Sequence, residues 1–528
     1  MPLSPPQLRT LAVASSASIG VVSLIGFTAQ IVFALNMGPV VNFPFFMDIW
    51  TCLFSLFFAI QILYLYFKQF SSRYDWRSDL AYYIIAASIS VFQVLGAFLG
   101  SRWDAGLWGF LLLATVALDI VMIVAKKNGG GTGTGEESGY VHSNKDGHKS
   151  SKRSGGRRCL SCFNTFMKIL AFIPFAFMLG GTWTQAVGWL SYPPRGTFVK
   201  ITTDLGVQQD IHVLCMGPIN ASLPVMILDC GGGGHSMSDL WALQMSLSSN
   251  YSRRVCSYDP PGTAWSSYSA PQEGNYLEKV LQQLPSAYPD AVPPYILYGT
   301  MDDATNRIYE YALDHPSNVK ALIPVQPNIV PEFLPNKIVL GWTEQQMLSY
   351  ARGAFAGREI FGNVIRAFGV QWGLMSIFAP PNPNYIPQDR ATEHAFLNGW
   401  NAKQWTTNVA TLVSWVDDPS LAFAPSVYLT NRTLASDIPV HVIADKTPNA
   451  TQTCIDRRQP LTSDNCKIIA MQIELQIDGL RAMSNITASS TLTRCERPTC
   501  TGFFAFYFAQ NLGWTVSLVM QLIGSITV

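Results

Sequence analysis

The chain has 528 residues, of which 48% are hydrophobic and only 13% are charged. Soluble proteins carry about 25% charged residues, so this composition excludes a chain that faces water throughout. The formal net charge of +1 argues against a nucleic-acid partner, because neutralising phosphates requires a basic surface. The aromatic content of 12% excludes disorder over most of the chain. We therefore expect a membrane protein with a large soluble part.

Five apolar segments lie in the first third of the chain, and each has about the length of a membrane-spanning helix. They are Leu11–Leu35, Phe43–Phe67, Leu80–Leu99, Ala105–Ala125 and Ile169–Leu190. Such a series, without a clear cleavage site, is not typical of a signal peptide. Within the segments, Asp48 and Asp119 are candidates for an ion or proton path, but their positions favour the membrane–water boundary.

The Lys and Arg content of the loops predicts the orientation of these spans. Lys68, Arg73 and Arg77 follow the second span, and the segment 126–168 is strongly basic, whereas residues 36–42 carry no charge. We expect the N-terminus and the basic linker 126–168 in the cytosol, and everything after Leu190 on the lumenal or extracellular side. The Gly-, Ser- and Lys-rich linker is expected to be disordered and to contact anionic membrane lipid.

N-glycosylation sequons agree with this orientation, because all of them follow the fifth span. They begin at Asn220, Asn250, Asn431, Asn449 and Asn485.

Cysteines on the far side of the membrane can form disulfides. Short separations favour the pairs Cys454–Cys466 and Cys495–Cys500, with at least one thiol left over. Cys159 and Cys162 precede the fifth span, where S-palmitoylation and unmodified thiols both stay open. No second pair of ligands lies near them, so we predict no zinc site, and no other metal or cofactor is predicted.

Beyond Leu190, short apolar strands alternate with helices. The predicted strands are Val225–Asp229, Arg254–Tyr258, Tyr295–Tyr298 and Val319–Val325. Alternating strands and helices predict a doubly wound parallel sheet with helices on both faces.

Four motifs in this region, in this order, resemble those of the α/β-hydrolase superfamily (AB hydrolase-1-like) over roughly residues 197–528. Asp229–His235 resembles the oxyanion loop, with Gly231, Gly232, Gly233, Gly234 and His235. Asp259–Ser266 matches Asp-x-x-Gly-x-x-x-Ser, and Tyr295–Pro316 resembles the elbow strand and its helix. Ile438–Asp445 resembles the strand that ends at the catalytic acid, which would be Asp445.

The apolar segments and the resemblance together predict the following organisation of the chain. A four-span region (1–125), the linker (126–168) and the fifth span (169–190) form an α-helical transmembrane bundle of about five spans. An α/β-hydrolase-like domain follows (195–528), with a helical lid at about 331–435. The lid is rich in aromatic residues, which either line an apolar ligand cavity or pack the lid on the core. The apolar run 503–528 is either a sixth span or, as we favour, the final turn and helix of the domain.

The catalytic positions that the resemblance implies are degenerate. The nucleophile position falls on Met301 in one register and on Asp302 in the other, and neither places a serine there. Phe503 takes the place of the histidine and cannot accept a proton. Ser236 lies in a sequence that looks superficially like a serine elbow, but too few strands precede it, so we expect a loop or helix-cap residue.

Three functions stay open at this point. The first is a membrane-anchored pseudoenzyme that binds an apolar small molecule or a protein partner. The second is an active ester or epoxide hydrolase with Asp302 as nucleophile, Asp445 as acid and a base such as His235. The third is transport or sensing by the N-terminal helices.

Overall fold

The structure is a computed structural model of the 528-residue chain. It describes mainly residues 17–25, 54–60, 76–99, 103–129, 179–203, 206–219, 223–230, 236–267, 276–327, 334–354, 388–401, 403–405, 434–444, 450–460, 462–484, 490–495 and 509–526. Two compact units share the chain. The first comprises Met1–Met37, Pro44–Ser191 and Phe368–Phe378. The second comprises Gly38–Phe43, Tyr192–Ala367 and Ala379–Val528.

The first unit is helical where it is described. Helices α1 (Trp76–Leu99) and α2 (Trp103–Gly129) contain the predicted spans Leu80–Leu99 and Ala105–Ala125. Their core includes Tyr83 and Leu112, both fully buried. No helix among the described residues is both long and apolar enough to cross a membrane, so the five spans stay predictions.

Several sequence predictions concern polar residues and cysteines of the first unit. Asp119, which the sequence predicts at the membrane–water boundary, is fully buried within the first unit. Asp48, the cysteines Cys159 and Cys162 and the linker beyond Gly129 lie outside the described residues.

The second unit is built on a sheet of eight strands in the order β1-β2-β4-β3-β5-β6-β7-β8. The strands are β1 Thr197–Thr202, β2 Gln208–Met216, β3 Met226–Cys230, β4 Val255–Tyr258, β5 Tyr295–Thr300, β6 Val319–Val325, β7 His441–Ala444 and β8 Thr491–Arg494. β2 pairs antiparallel with β1 and β4, and all other neighbours pair in parallel. The predicted parallel sheet is therefore confirmed, with an antiparallel hairpin added at one edge.

Helices cover both faces of this sheet. The helices of the second unit, within the described residues, are α3 Trp241–Asn250, α4 Tyr276–Ala287, α5 Met301–Asp314, α6 Leu334–Leu340, α7 Glu344–Ala354, α8 Ala391–Ala395, α9 Ala450–Asp456, α10 Asp464–Ser484 and α11 Ala509–Ile526. Of these, α4 and α5 pack on one face of the sheet, and α3 and α11 pack on the other. Every residue of β3 and β5 is buried, as expected for parallel strands covered on both sides.

Each face of the sheet has its own apolar core. Ile227 and Leu297 point to the face covered by α4 and α5. Leu228 and Ile296 point to the opposite face, where Leu243 of α3 and Val519 of α11 pack. The described part of the C-terminal apolar run, Ala509–Ile526, is therefore a helix that packs in the second unit, as the favoured interpretation expects of the final helix.

Candidate functional site

The parallel strands end along one edge of the sheet, where open α/β folds bind their ligands. β3 ends at Cys230, directly before the glycine-rich loop, and β7 ends at Ala444, directly before Asp445. Cys230 pairs with Thr300, the last residue of β5. The chain thus brings the starts of the predicted oxyanion, elbow and acid segments to the same edge.

The elbow itself is a direct passage from strand to helix. β5 ends at Thr300, whose backbone is extended, and α5 begins at Met301. Met301 is therefore the first residue after the strand and Asp302 the second. The side chains of both lie outside the described residues, and the choice between the two registers stays a prediction.

Gly299 explains how the helix approaches the strand so closely. A Cβ atom at Gly299 would lie 2.8 Å from the Ala304 carbonyl oxygen and 2.9 Å from Cδ1 of Ile308. No side chain fits in this space, so the turn requires glycine here. The elbow motif in the sequence correctly predicted the position of this turn from β5 to α5.

Several predicted site residues lie outside the described residues: Gly231, Gly232, Gly233, Gly234, His235, Asp445 and Phe503. Their roles stay predictions. No group of three His, Cys, Asp or Glu side chains able to hold a metal ion occurs in the part of the chain that the structure describes.

A buried ion pair that the sequence did not reveal lies beneath the elbow helix. Arg307 of α5 donates from Nε and Nη2 to the carboxylate of Asp229 in β3, at 3.1 and 2.9 Å. Its guanidinium also lies 4.5 Å from the ring centre of Tyr276. The pair links the strand that precedes the glycine loop to the helix that follows the elbow.

Asp259, at the end of β4, organises the loop that follows. It accepts hydrogen bonds from the backbone N–H of Met237 at 3.0 Å and from Nδ1 of His212 at 2.9 Å. Both His212 and Asp259 are fully buried. The Ser266 hydroxyl donates to the Asp259 carbonyl at 2.7 Å, which joins the two ends of the Asp259–Ser266 motif.

Ser236 is a helix-cap residue, as predicted. Its hydroxyl accepts from the Ser238 backbone N–H, and the Asp239 carboxylate accepts from the Ser236 N–H, which forms a capping box for a 3-10 helix, Met237–Leu240.

A second polar cluster joins this cap to the lid. Ser238 Oγ lies 2.9 Å from Nδ1 of His394 in α8, and His394 Nε2 lies 3.6 Å from Asp239 Oδ1. Asn398 donates to Ser238 Oγ at 3.0 Å and to Asp239 Oδ1 at 3.1 Å. These groups are the elements of a Ser–His–Asp triad, but Ser238 is fully buried and bonded on several sides. Ser238 thus joins the capped 3-10 helix to His394 and Asn398.

Lys403 and Thr407, which come after this cluster in the chain, contact the loop after β4. Lys403 Nζ donates to the Ser266 carbonyl at 2.6 Å, and Thr407 donates to the Gly262 carbonyl at 3.0 Å. Burial lowers the pKa of Lys403 to about 7, although nearby Asp259 opposes this. Lys403 and Thr407 therefore attach this part of the chain to the loop after β4 by polar contacts.

One of the two disulfides that the sequence favours is present among the described residues, and another disulfide occurs at a further place. The predicted Cys454–Cys466 pair is confirmed, and a Cys215–Cys256 disulfide joins β2 to β4. Cys495 is also disulfide-bonded, and Cys500 lies outside the described residues. Cys230 is a buried free thiol, in agreement with the expected unpaired cysteine.

Of the predicted sequon positions, Asn250 is described, and it lies exposed at the end of α3. Asn220, Asn431, Asn449 and Asn485 lie outside the described residues.

Solved structures similar to this chain are α/β hydrolases. A thermophilic esterase from Thermogutta terrifontis is 12% identical with a TM-score of 0.38, over 63% of this chain and 100% of the esterase. An epoxide hydrolase from Bacillus megaterium is 14% identical with a TM-score of 0.40, over 62% of this chain and 100% of that enzyme. An enol-lactonase from Burkholderia xenovorans is 12% identical with a TM-score of 0.35, over 60% and 97%.

Other comparisons gave no relatives: no protein-family model matches the chain, and no curated protein is significantly similar to it. The second unit is an α/β-hydrolase-like sheet domain by its strand order and connections. Identities and TM-scores as low as these carry no argument about activity.

Proposed function

We propose that the second unit is an α/β-hydrolase-like binding domain that lacks the hydrolase chemistry of the superfamily. The observation that carries this proposal is the elbow, where β5 ends at Thr300 and α5 begins at Met301. The residues that follow the strand are Met and Asp, so neither register supplies the hydroxyl nucleophile of a serine hydrolase. The domain would bind an apolar small molecule or a protein partner beneath its lid.

The positions of the histidines support a binding role. No histidine follows His441 in the sequence. His441 begins β7, at the strand end opposite to the carboxyl edge, and its Nδ1 lies 2.9 Å from Thr491 Oγ1. His394 is held by Ser238, and His212 by Asp259. Each of these imidazoles therefore has a structural role that accounts for its position.

The test is turnover by purified full-length protein on a panel of esters and epoxides, beside an Asp302→Asn variant. The proposal predicts that wild type and variant are equally inactive, while circular dichroism shows that both are folded. Turnover that disappears in Asp302→Asn would identify an aspartate-nucleophile hydrolase and would overturn the proposal.

We further propose that the first unit attaches this domain to a membrane, with the domain on the oxidising, lumenal or extracellular side. Large apolar side chains are exposed on α1 and α2, among them Ile84, Phe92 and Phe110. Disulfides in the second unit fit an oxidising compartment. Extraction of cell membranes with alkaline carbonate tests the attachment: the protein should stay with the membrane pellet, and release into the supernatant would contradict it.

A further inference from the structure

Arg390, a buried arginine that precedes α8, makes no ion pair or hydrogen bond with an acidic side chain among the residues that the structure describes. Arg390 is only 8% exposed, and its guanidinium lies 4.8 Å from the ring centre of Trp241, the first residue of α3. Its Nε and Nη1 atoms are buried without a hydrogen-bond partner among the described residues. The indole Nε1 of Trp241 is buried and unpartnered in the same way.

One further arginine, Arg195, and two acidic residues, Glu393 and Asp389, lie near Arg390. Glu393, one turn further along the chain, accepts from Arg195 Nη2 at 3.1 Å through Oε2, and its Oε1 has no hydrogen-bond partner in the described part of the chain. Burial lowers the pKa of Arg390, and Arg195 lowers it further, whereas Glu393 and Asp389 act in the opposite direction. Burial also raises the pKa of Glu393.

Burying guanidinium N–H groups without acceptors is costly, because these groups have lost their hydrogen bonds to water. Guanidinium groups form their strongest hydrogen bonds with carboxylates and phosphates, and an indole N–H can donate to the same kind of acceptor. We propose that Arg390, Arg195 and the Trp241 indole form a binding site for the oxyanion of a ligand, a carboxylate or a phosphate.

This site rests on the proposed function, since it names the charged group of the ligand that the binding domain would hold. Trp241 directly follows the 3-10 helix that is capped by Ser236, and Arg390 precedes α8, which carries His394. The ligand would therefore bind between the lid and the segment that follows the glycine loop. Glu393 Oε1 could accept a hydroxyl or amine of the same ligand.

The experiment measures thermal unfolding and tryptophan fluorescence of purified full-length protein. The probes are inorganic phosphate, hexanoate and hexyl phosphate, with sodium chloride at matched ionic strength and hexanol as controls. At least one oxyanion should raise the Tm and change the fluorescence more than the controls do. An equal response to inorganic phosphate and hexyl phosphate would show that the site recognises a free oxyanion. A stronger response to the alkyl compounds would show that it recognises an organic ligand that carries the oxyanion.

The variants are Arg390→Gln, Arg195→Gln and Trp241→Phe. Arg390→Gln should weaken the apparent affinity by about tenfold or more, since it removes charge-assisted hydrogen bonds. Without ligand it should be at least as stable as wild type, because it removes an unpaired buried charge. If it fails to fold, Arg195→Gln and Trp241→Phe, which keeps the ring and loses the N–H, should each still weaken binding.

The proposal is overturned if no oxyanion acts beyond the controls, or if the response is unchanged in the folded variants. The elbow is tested separately by ester and epoxide turnover. Turnover through Asp302 would refute the proposed function but not the oxyanion site. An anion response that is independent of Arg390 would refute the oxyanion site but not the proposed function.

Discussion

At the residue scale, the least predictable features are contacts between buried charges far apart in the sequence. Asp229 and Arg307 are 78 positions apart, and Ser238 and His394 are 156 apart. The sequence shows each as an ordinary polar residue, since only the fold brings them together. Ser236 differs, because capping depends on neighbours in the chain, and its role was predicted correctly.

The Asp229–Arg307 pair gives a direct stability prediction. Arg307→Met leaves a carboxylate buried without its partner, so the free energy of unfolding should fall by about 3–5 kcal/mol. The double variant Asp229→Leu/Arg307→Met should recover part of the loss, because it removes both charges. Denaturant unfolding measures this.

The matched control is Arg481→Met, which breaks the exposed Arg481–Asp478 pair and should cost less than about 1 kcal/mol. A similar loss of unfolding free energy in Arg307→Met and Arg481→Met would show that the buried pair contributes no more to stability than the exposed pair.

The lowered pKa of Lys403 predicts that the free energy of unfolding depends on pH. Its pKa is lowered to about 7 in the fold, and it is about 10.4 in an unfolded chain. Between these values the unfolded state binds more protons, so the contribution of this group to the free energy of unfolding rises with pH. The free-energy cost of burying the charged Lys403 ammonium is therefore largest below pH 7 and decreases toward pH 10.

The corresponding variant is Lys403→Met, with the exposed Lys320→Met as control. The stability of Lys403→Met relative to wild type should be greatest near pH 6.5 and should decline by pH 9.5. Lys320→Met should show no such trend. A pH-independent difference for Lys403→Met would refute the proposed cause.

At the element scale, the central strands were the most predictable part of the fold. Val319–Val325 was predicted with the observed bounds, because a buried parallel strand is a continuous apolar run. β1 was missed: it is an edge strand with alternating burial, and half of its residues resemble a surface segment. The lid was predicted only as an interval, since the distances that dock Arg390 and His394 on the core are not visible in the sequence.

The crossing from β5 to α5 predicts a strict requirement for glycine. Gly299→Ala should lower the free energy of unfolding by about 1–3 kcal/mol, because the new methyl group forces the helix away from the strand. Gly353→Ala in α7 is the control: nothing lies within 4 Å of its added Cβ, and it should stabilise by about 0.5–1 kcal/mol. Equal stability of the two variants would contradict the close approach.

At the scale of the whole molecule, the chain combines a helical unit with an α/β-hydrolase-like unit, and the proposed orientation makes a prediction at Asn250. This exposed asparagine should carry a glycan if the second unit is lumenal or extracellular. Peptide mass spectrometry after glycosidase treatment should detect a modified Asn250 in wild type and none in Ser252→Ala. An unmodified Asn250 in a secretory host would argue against the orientation.

We propose that the elbow carries no working nucleophile, and covalent trapping tests this proposal most directly. Full-length protein is mixed with a slowly hydrolysed epoxide or ester, quenched within one turnover time and digested, and the peptide containing Thr300–Asp303 is examined by mass spectrometry. This peptide should keep its unmodified mass in wild type and in Asp302→Asn. An ester adduct on Asp302 that is absent from Asp302→Asn would contradict it and would establish a hydrolase.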